Sequence, residues 1–444
     1  MSLETILKKA QTGPTRTLSV VSMQRLVQVA GIVVTVALVP RLFGAQDYGR
    51  FAFVLSLSYL GQILGDFGTL DVMGRFVPGM SRREAGRLYM RSLAFKLLAG
   101  VVCGAITFGA ALALGRWMRP EWAALAGLSV ALHIIAWVPF QFALGLNRVG
   151  VWMAEQAWRQ WALLALLLLF LPPLGLGGAL LALVAMETLF CGLGLWWLRD
   201  HWRAAELGLD WGYLRPFLRF GAGFFLANLV TTFLYRSGPV LVEALTGDSA
   251  QTGFFNLAIG LFLLAYITIS QFAQSLLPAL SAFQSQGRPE RAKRWLRRFV
   301  RYAWSFGWLA TLAVWLLADW GVPRVFGPDF APAATVLKWI GLGIPLAALL
   351  WAGNLVATLS GRGAWKFAAS LAGLLTFLGV ALILVPAYRA GGAALALSLA
   401  TLVNVVVLSL ALRRDFAPGW RMVRRSALAG ALGLVVVLWL SQRL

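Results

Sequence analysis

Cysteine and histidine are nearly missing: the 444 residues hold two of each. That excludes a disulfide scaffold and leaves too few ligands for a typical structural zinc site. Charge is scarce too, at 13% Asp, Glu, Lys and Arg, about half of what a soluble domain carries. Acids are the scarcer sign, 17 against 39 basic residues. No P-loop, His-Glu-x-x-His, Gly-x-Ser-x-Gly or Cys-x-x-Cys pattern occurs, so the standard signatures of ATPases, metallohydrolases and serine hydrolases are absent. No cofactor is expected. What is abundant is apolar: 60% hydrophobic residues, with 20 Trp and 28 Phe. Such a chain is too apolar for water, and its basic residues lie between long apolar runs rather than in a patch fit for nucleic acid. It reads as an all-α polytopic membrane protein.

Each pass needs about 20 mostly apolar residues. Spans are expected at 22–42, 51–73, 93–115, 122–145, 152–172, 175–198, 217–242, 253–276, 301–320, 333–358, 366–386 and 391–412, and the run 427–441 is a possible thirteenth membrane segment. Of the 39 basic residues, 27 lie in or at the edges of alternate connections and only 7 at the others. The positive-inside rule then sets the N-terminus and the 27-residue side in the cytoplasm. No cleavable signal peptide is evident. Trp152, Trp158, Trp161, Trp196, Trp197 and Trp202 at inner boundaries, with Trp117, Trp122 and Trp320 at outer ones, suit an interfacial belt. Gly100 and Gly104 form a small-xxx-small pair for close helix packing.

The chain also repeats itself. Pro172 and Gly177-Gly178-Ala179 recur 214 residues later as Pro386 and Gly391-Gly392-Ala393, and Arg148 recurs as Arg362. Two six-helix bundles of one orientation follow, related by a pseudo-two-fold axis along the membrane normal. The expected organisation is an N-terminal bundle over 1–198, a cytoplasmic linker over 199–216, a C-terminal bundle over 217–412, and a basic loop with a membrane segment over 413–444. Paired bundles suit alternating access around a site near the midplane.

Ionisable residues inside spans are functional candidates by default, because burying each costs about 2.5–3.5 kcal/mol on insertion scales. Five cations fall there: Arg25, Lys96, Arg159, Arg236 and Lys338. Asp66, Asp71 and Glu187 are the interior acids, with Glu155, Glu243 and Asp319 nearer the boundaries. Arg25 has two readings, an ion pair with Asp66 or Asp71 and a substrate contact. Arg159 meets Glu187 if both side chains snorkel. Lys96 is expected to reach the inner headgroups, and His133 reads as a packing histidine rather than a proton relay. Arg236 and Lys338 stand in the outer halves of spans whose unit has no interior acid, so a surplus of cations is expected to face an anionic substrate, phosphate above all. Snorkelling to the outer boundary is the alternative. Arg288, Arg291, Lys293, Arg294, Arg297 and Arg298 crowd a basic amphipathic stretch that would lie on anionic membrane lipid. The other reading is selection of anionic lipid-linked cargo.

Four segments carry a family likeness. Arg41-Leu42-Phe43-Gly44-Ala45-Gln46-Asp47-Tyr48-Gly49 resembles the "aRllGpeeyG" signature of Wzx-type polysaccharide-transport flippases, members of the multidrug/oligosaccharidyl-lipid/polysaccharide (MOP) exporter superfamily. Asp66-Phe67-Gly68-Thr69-Leu70-Asp71 with Arg75-Phe76 is similar to its "dlGLd…Rf" segment. Val325 to Ala334 resembles "lfGpefapAa", and Gly253-Phe254-Phe255-Asn256-Leu257-Ala258 resembles "GlYslA". Two departures stand out: Phe220-Gly221-Ala222-Gly223 lacks the family's usual proline, and Tyr235 replaces its frequent Asp before Arg236.

The resemblance implies a transporter, not an enzyme, in a bacterial inner membrane. It would flip an undecaprenyl-pyrophosphate-linked oligosaccharide from the cytoplasmic to the periplasmic leaflet through a cationic cavity, with polysaccharide polymerase or export proteins as possible partners. An inside-negative potential would favour an anion's outward passage by about 2.3 kcal/mol per charge per 100 mV. A peptidoglycan-precursor flippase and a cation-coupled drug exporter of the same superfamily are the alternatives. A membrane glycan-transferring enzyme fits least, because no outer loop is long enough to house catalytic carboxylates.

Overall fold

In hydrocarbon the backbone must satisfy its own hydrogen bonds, which leaves helices or a closed barrel; runs this long and apolar choose helices. The computed structural model describes residues 14–200, 207–286 and 289–412. Among them no strand occurs, and nine helices are long and apolar enough to cross a membrane. The elements are α1 (Pro14–Leu64), α2 (Thr69–Phe76), α3 (Arg82–Leu114), α4 (Pro120–Gly145), α5 (Val149–Trp197), α6 (Trp211–Thr246), α7 (Ser249–Ser285), α8 (Pro289–Phe326), α9 (Ala333–Gly341), α10 (Gly343–Leu359) and α11 (Gly363–Ala411). The segment 427–441, most of the linker's first half including Trp202, and Arg288 lie outside the described residues.

Three helices exceed any bilayer. At 51, 49 and 49 residues, α1, α5 and α11 would each reach about 75 Å if straight, more than twice the roughly 30 Å hydrocarbon core. Each turns back at one left-handed residue: Gly44 (φ 71°), Gly175 (φ 56°) and Arg389 (φ 50°). With those reversals the nine helices supply the twelve expected passes. Two spans are interrupted where the sequence analysis drew them whole. The second breaks between Leu64 and Thr69. The tenth breaks at Leu342, three residues before Pro345, whose ring nitrogen donates no hydrogen bond.

The backbone reproduces the 214-residue repeat. Asn147 (φ 59°) matches Gly361 (φ 67°), and Gly175 (φ 56°, ψ −138°) matches Arg389 (φ 50°, ψ −130°). A Cβ on Gly178 would lie 2.0 Å from the Phe170 carbonyl oxygen, and one on Gly392 2.3 Å from that of Leu384. Both glycines are there because the reversed chain touches backbone. Arg389 carries the same backbone conformation with a side chain, which among the described residues has only a long, exposed pair with Asp248 at 3.6 Å. Arg389→Gly is therefore expected to stabilise the protein by about 1 kcal/mol, the relieved strain less glycine's extra chain entropy. A melting temperature that stays level or falls would refute this.

The basic stretch ahead of span 9 is not a helix of its own. It forms the first turns of α8, which continues unbroken for 38 residues because no glycine or proline falls between Glu290 and Trp304. Arg291, Lys293, Arg294, Arg297 and Arg298 are all exposed along this extension.

By packing, the chain divides into two helical units, Met1–Val39 with Val54–Leu229 and Pro40–Phe53 with Val230–Leu444. In the first, Tyr89 stacks on Phe142 at 4.7 Å within a core that includes Met73, Leu88 and Leu214. There α3 is pressed on α4, since a Cβ on Gly104 would come within 2.7 Å of the Gly127 carbonyl oxygen. Asp210 fastens the start of α6: its carboxylate accepts the Tyr213 amide at 3.0 Å and pairs with Arg87, which together hold its pKa below the ordinary carboxylate value. In the second unit, Phe255, Phe262, Phe330 and Phe377 are fully buried.

Candidate functional site

Three of the four family-like segments meet in the second unit, around Tyr48. Its hydroxyl accepts the Asn256 side-chain amide at 2.8 Å, and its ring meets Phe330 edge-on at 5.7 Å. Arg41 donates to the Arg324 carbonyl. These motifs hold helix ends together rather than line a site.

The fourth segment is different, because it breaks a span. Phe67 (φ 50°) and Gly68 (φ 67°) both adopt left-handed backbone. Such a break frees carbonyls that hydrocarbon cannot satisfy. Lys96, only 2% exposed, supplies the donor that the Gly65 oxygen lacks, with Nζ at 2.6 Å, and reaches the Asp66 oxygen at 2.7 Å beside the Thr69 amide at 3.2 Å. Thr69 donates its hydroxyl to Gln141 Oε1 at 2.7 Å, and Gln141 Nε2 lies 3.4 Å from Asp66 Oδ1. Helix α6 crosses directly over the break: a Cβ on Gly68 would sit 2.2 Å from the Gly221 carbonyl oxygen. Phe67 stacks on Phe225 at 5.1 Å. Lys96 thus does not reach for headgroups, as the sequence analysis expected. The break offers it two oxygens close at hand.

A second polar group lies in the same unit. Arg159 donates to Glu187 Oε1 at 2.5 Å and to Glu155 four residues back on its own helix, with both carboxylates about 4% exposed. The expected meeting of Arg159 and Glu187 occurs, deep in the bundle. His133 joins it. Its Nδ1 lies 3.0 Å from Glu187 Oε1 and 3.1 Å from Arg159 Nη1. One ring nitrogen cannot serve both neighbours at once: unprotonated it accepts from Arg159, protonated it donates to Glu187. The packing role read for His133 is therefore corrected to membership of a buried acid–base cluster. Glu155 at i and Arg159 at i+4 were a visible signal; nothing in span 4 marked His133 as their neighbour.

With a neutral imidazole the cluster carries two carboxylates and one guanidinium. With both ring nitrogens of His133 protonated it is neutral. Arg159 Nη2 and Glu187 Oε2 are buried without a partner among the described residues. They face a cavity of about 40 Å³ lined by Ser58, Tyr59, Gln62 and Ser129. A site of that size and polarity has room for one or two waters.

The surplus of interior cations is smaller than the sequence analysis expected. Lys338 pairs with Asp319 and lies 5.9 Å from the centre of the Trp315 ring. Arg25 donates to Gln28 at 2.9 Å rather than pairing with Asp66 or Asp71. Arg236 is half-buried, and Glu243 accepts hydroxyls from Ser249 and Thr252 at 2.9 and 2.8 Å. Acids at span edges and carbonyls at helix breaks serve as partners, as Asp319 does for Lys338 and Gly65 for Lys96. Asp66 and Asp71, half-buried, flank the break in the second span. Among the described residues no cluster of three or more His, Cys, Asp or Glu side chains is arranged to hold a metal ion.

A family model described as polysaccharide biosynthesis protein matches residues 16–284, more than half the chain. The chain belongs to the polysaccharide biosynthesis protein family. No curated protein sequence matches it. Among solved structures, a lipid II flippase MurJ in an inward closed conformation shares the fold at a TM-score of 0.72 and 13% identity, covering 96% of this chain and 98% of that one. An inward-facing multidrug resistance MATE transporter of the MOP superfamily follows at 0.69 and 17% identity, covering 89% and 96%. An outward-facing MATE transporter matches at 0.56 and 14% identity, covering 91% and 96%. The resemblance read from the four segments holds at the level of family and fold. This member of the family is a multi-pass membrane protein, all-helical among the described residues, that shares its fold with those transporters.

Proposed function

We propose that the protein flips an undecaprenyl-pyrophosphate-linked oligosaccharide across a bacterial inner membrane, from the cytoplasmic to the periplasmic leaflet, by alternating access. The N-terminus then lies in the cytoplasm, as the charge asymmetry requires. The supporting observation is the family match over residues 16–284. Neighbouring folds do not choose the cargo, since a lipid II flippase and a drug transporter match almost equally well.

In this reading Arg236 meets the pyrophosphate, for which its planar fork is suited. Lys338 serves the same anion by exchanging its Asp319 partner for phosphate oxygens. Arg25 and Arg159 are weaker contacts, Arg159 because two carboxylates already hold it. The His133–Glu187 pair is assigned to coupling. A change of one charge at this buried contact would bias one conformation over another.

Reconstitution into vesicles with defined lipid-linked oligosaccharides tests both parts. The parent protein is expected to expose the pyrophosphate-linked sugar on the far leaflet, and Arg236→Ala to slow this about tenfold or more, the loss of a charge-assisted hydrogen bond. Equal transport by Arg236→Ala and Lys338→Ala would overturn the anion contacts. Exclusive transport of the peptidoglycan precursor, or of cationic drugs, would replace the cargo assignment.

A further inference from the structure

The side of the second unit formed by α7 and α8 carries a groove that none of the above uses. Its volume is about 560 Å³, and its wall is aromatic: Phe272 on α7, with Trp295, Tyr302 and Phe306 on α8. All four are exposed, while Ile269 and Phe299 at 3% and 9% exposure form the floor. Two of the three hydroxyls in the wall are spent on their own helix, Ser275 donating to the Phe272 carbonyl and Thr268 to that of Leu264, both at 2.8 Å. Apart from the Tyr302 hydroxyl and the Trp295 indole, the slot is apolar between Phe272 and Phe306.

One end is charged. Arg298 lines the groove in the first turns of α8, its guanidinium 5.7 Å from the centre of the Trp295 ring. No carboxylate pairs with it among the described residues. Arg291, Arg294 and Arg301 recur on the same face of α8 at helical spacing. Their like charges add to its field.

Length decides what fits. From Trp295 to Phe306 the groove spans eleven residues, about 16 Å of helix, or half of a hydrocarbon core of about 30 Å. That is the depth of one leaflet. A single acyl chain fills such a slot, whereas a polyprenyl tail several times longer does not. Exposed apolar surface on a membrane protein meets lipid in any case, so exposure alone selects nothing. A slot one leaflet deep, mostly aromatic along its wall and cationic at its mouth, selects a lipid with a net negative headgroup over a zwitterionic one.

We infer that the α7–α8 groove is a binding site for one anionic phospholipid, its acyl chain between Phe272 and Tyr302 and its phosphate on Arg298. The inference does not depend on the identity of the cargo. It is tested on the full-length protein by native mass spectrometry after equilibration in equal mixtures of phosphatidylglycerol and phosphatidylcholine. The parent is expected to retain one phosphatidylglycerol per chain with about a fivefold preference, the factor that one cation beside an anionic headgroup supplies. Arg298→Gln is expected to bring that preference near unity. Ser275→Trp, which fills the slot from an exposed position, is expected to abolish the retained lipid, with an unchanged melting temperature showing that the fold is intact. Equal retention of the two lipids by the parent, or full retention by a folded Ser275→Trp protein, would overturn the site.

Discussion

Arg159→Met is expected to be the most damaging single substitution in the first unit. It leaves Glu155 and Glu187, each about 4% exposed, as two buried carboxylates with no cation between them. Removing one partner of a buried pair costs about 3–5 kcal/mol, a large part of the roughly 5–15 kcal/mol that holds a typical protein folded. The expected result is a sharp loss of monodisperse protein in detergent. The triple variant Glu155→Gln, Arg159→Met, Glu187→Gln removes all three charges together and is expected to recover most of the stability, because neutral replacements of a buried pair are often tolerated. Recovered folding without recovered pH-dependence of transport would assign the cluster to coupling. Should Arg159→Met prove as stable as the parent, the cluster is not the buried charge balance described here.

Lys96→Met is expected to follow closely. The side chain is buried, and its ammonium serves the two carbonyls freed by the break at Phe67 and Gly68. The Asp66 carbonyl keeps the Thr69 amide at 3.2 Å, so the Gly65 carbonyl is the one left without a donor; a loss of about 1–3 kcal/mol is expected, read as a lower melting temperature. Gly68→Ala probes the same break without touching charge. Its Cβ would meet the Gly221 carbonyl oxygen at 2.2 Å, so it too must destabilise the protein. Faster amide exchange at Thr69–Val72 in Lys96→Met would locate the damage at the break. Unchanged exchange and stability would show that the Gly65 carbonyl finds another donor.

Much of the architecture was readable from residues alone. Apolar runs of bilayer length specify helices because no other open structure satisfies the backbone in lipid, and the 214-residue offset of Pro172/Pro386 and Gly178/Gly392 reappears as matched left-handed reversals at Gly175 and Arg389. The reading failed where pairing partners come from elsewhere in the chain. Lys96 was assigned to headgroups because a broken second span was not visible: Gly65-Asp66-Phe67-Gly68 could have continued as helix, and α6 packing on Gly221 holds it open. Lys338 was counted as a free cation because Asp319 lies 19 residues away, near a span edge. His133 had no neighbour in sequence to mark it as part of an acid–base group.

Composition and hydropathy by themselves determined a multi-pass helical membrane protein with a duplicated plan, since transfer of apolar runs into lipid is a local property of each run. The tertiary structure alone decided which charges are matched. A buried ion's cost depends on the distance to its nearest donor or acceptor, and helices brought together by folding set that distance. His133, Glu155, Arg159 and Glu187 become one cluster only when α4 and α5 pack, and Lys96 becomes a cap only when its helix meets a break.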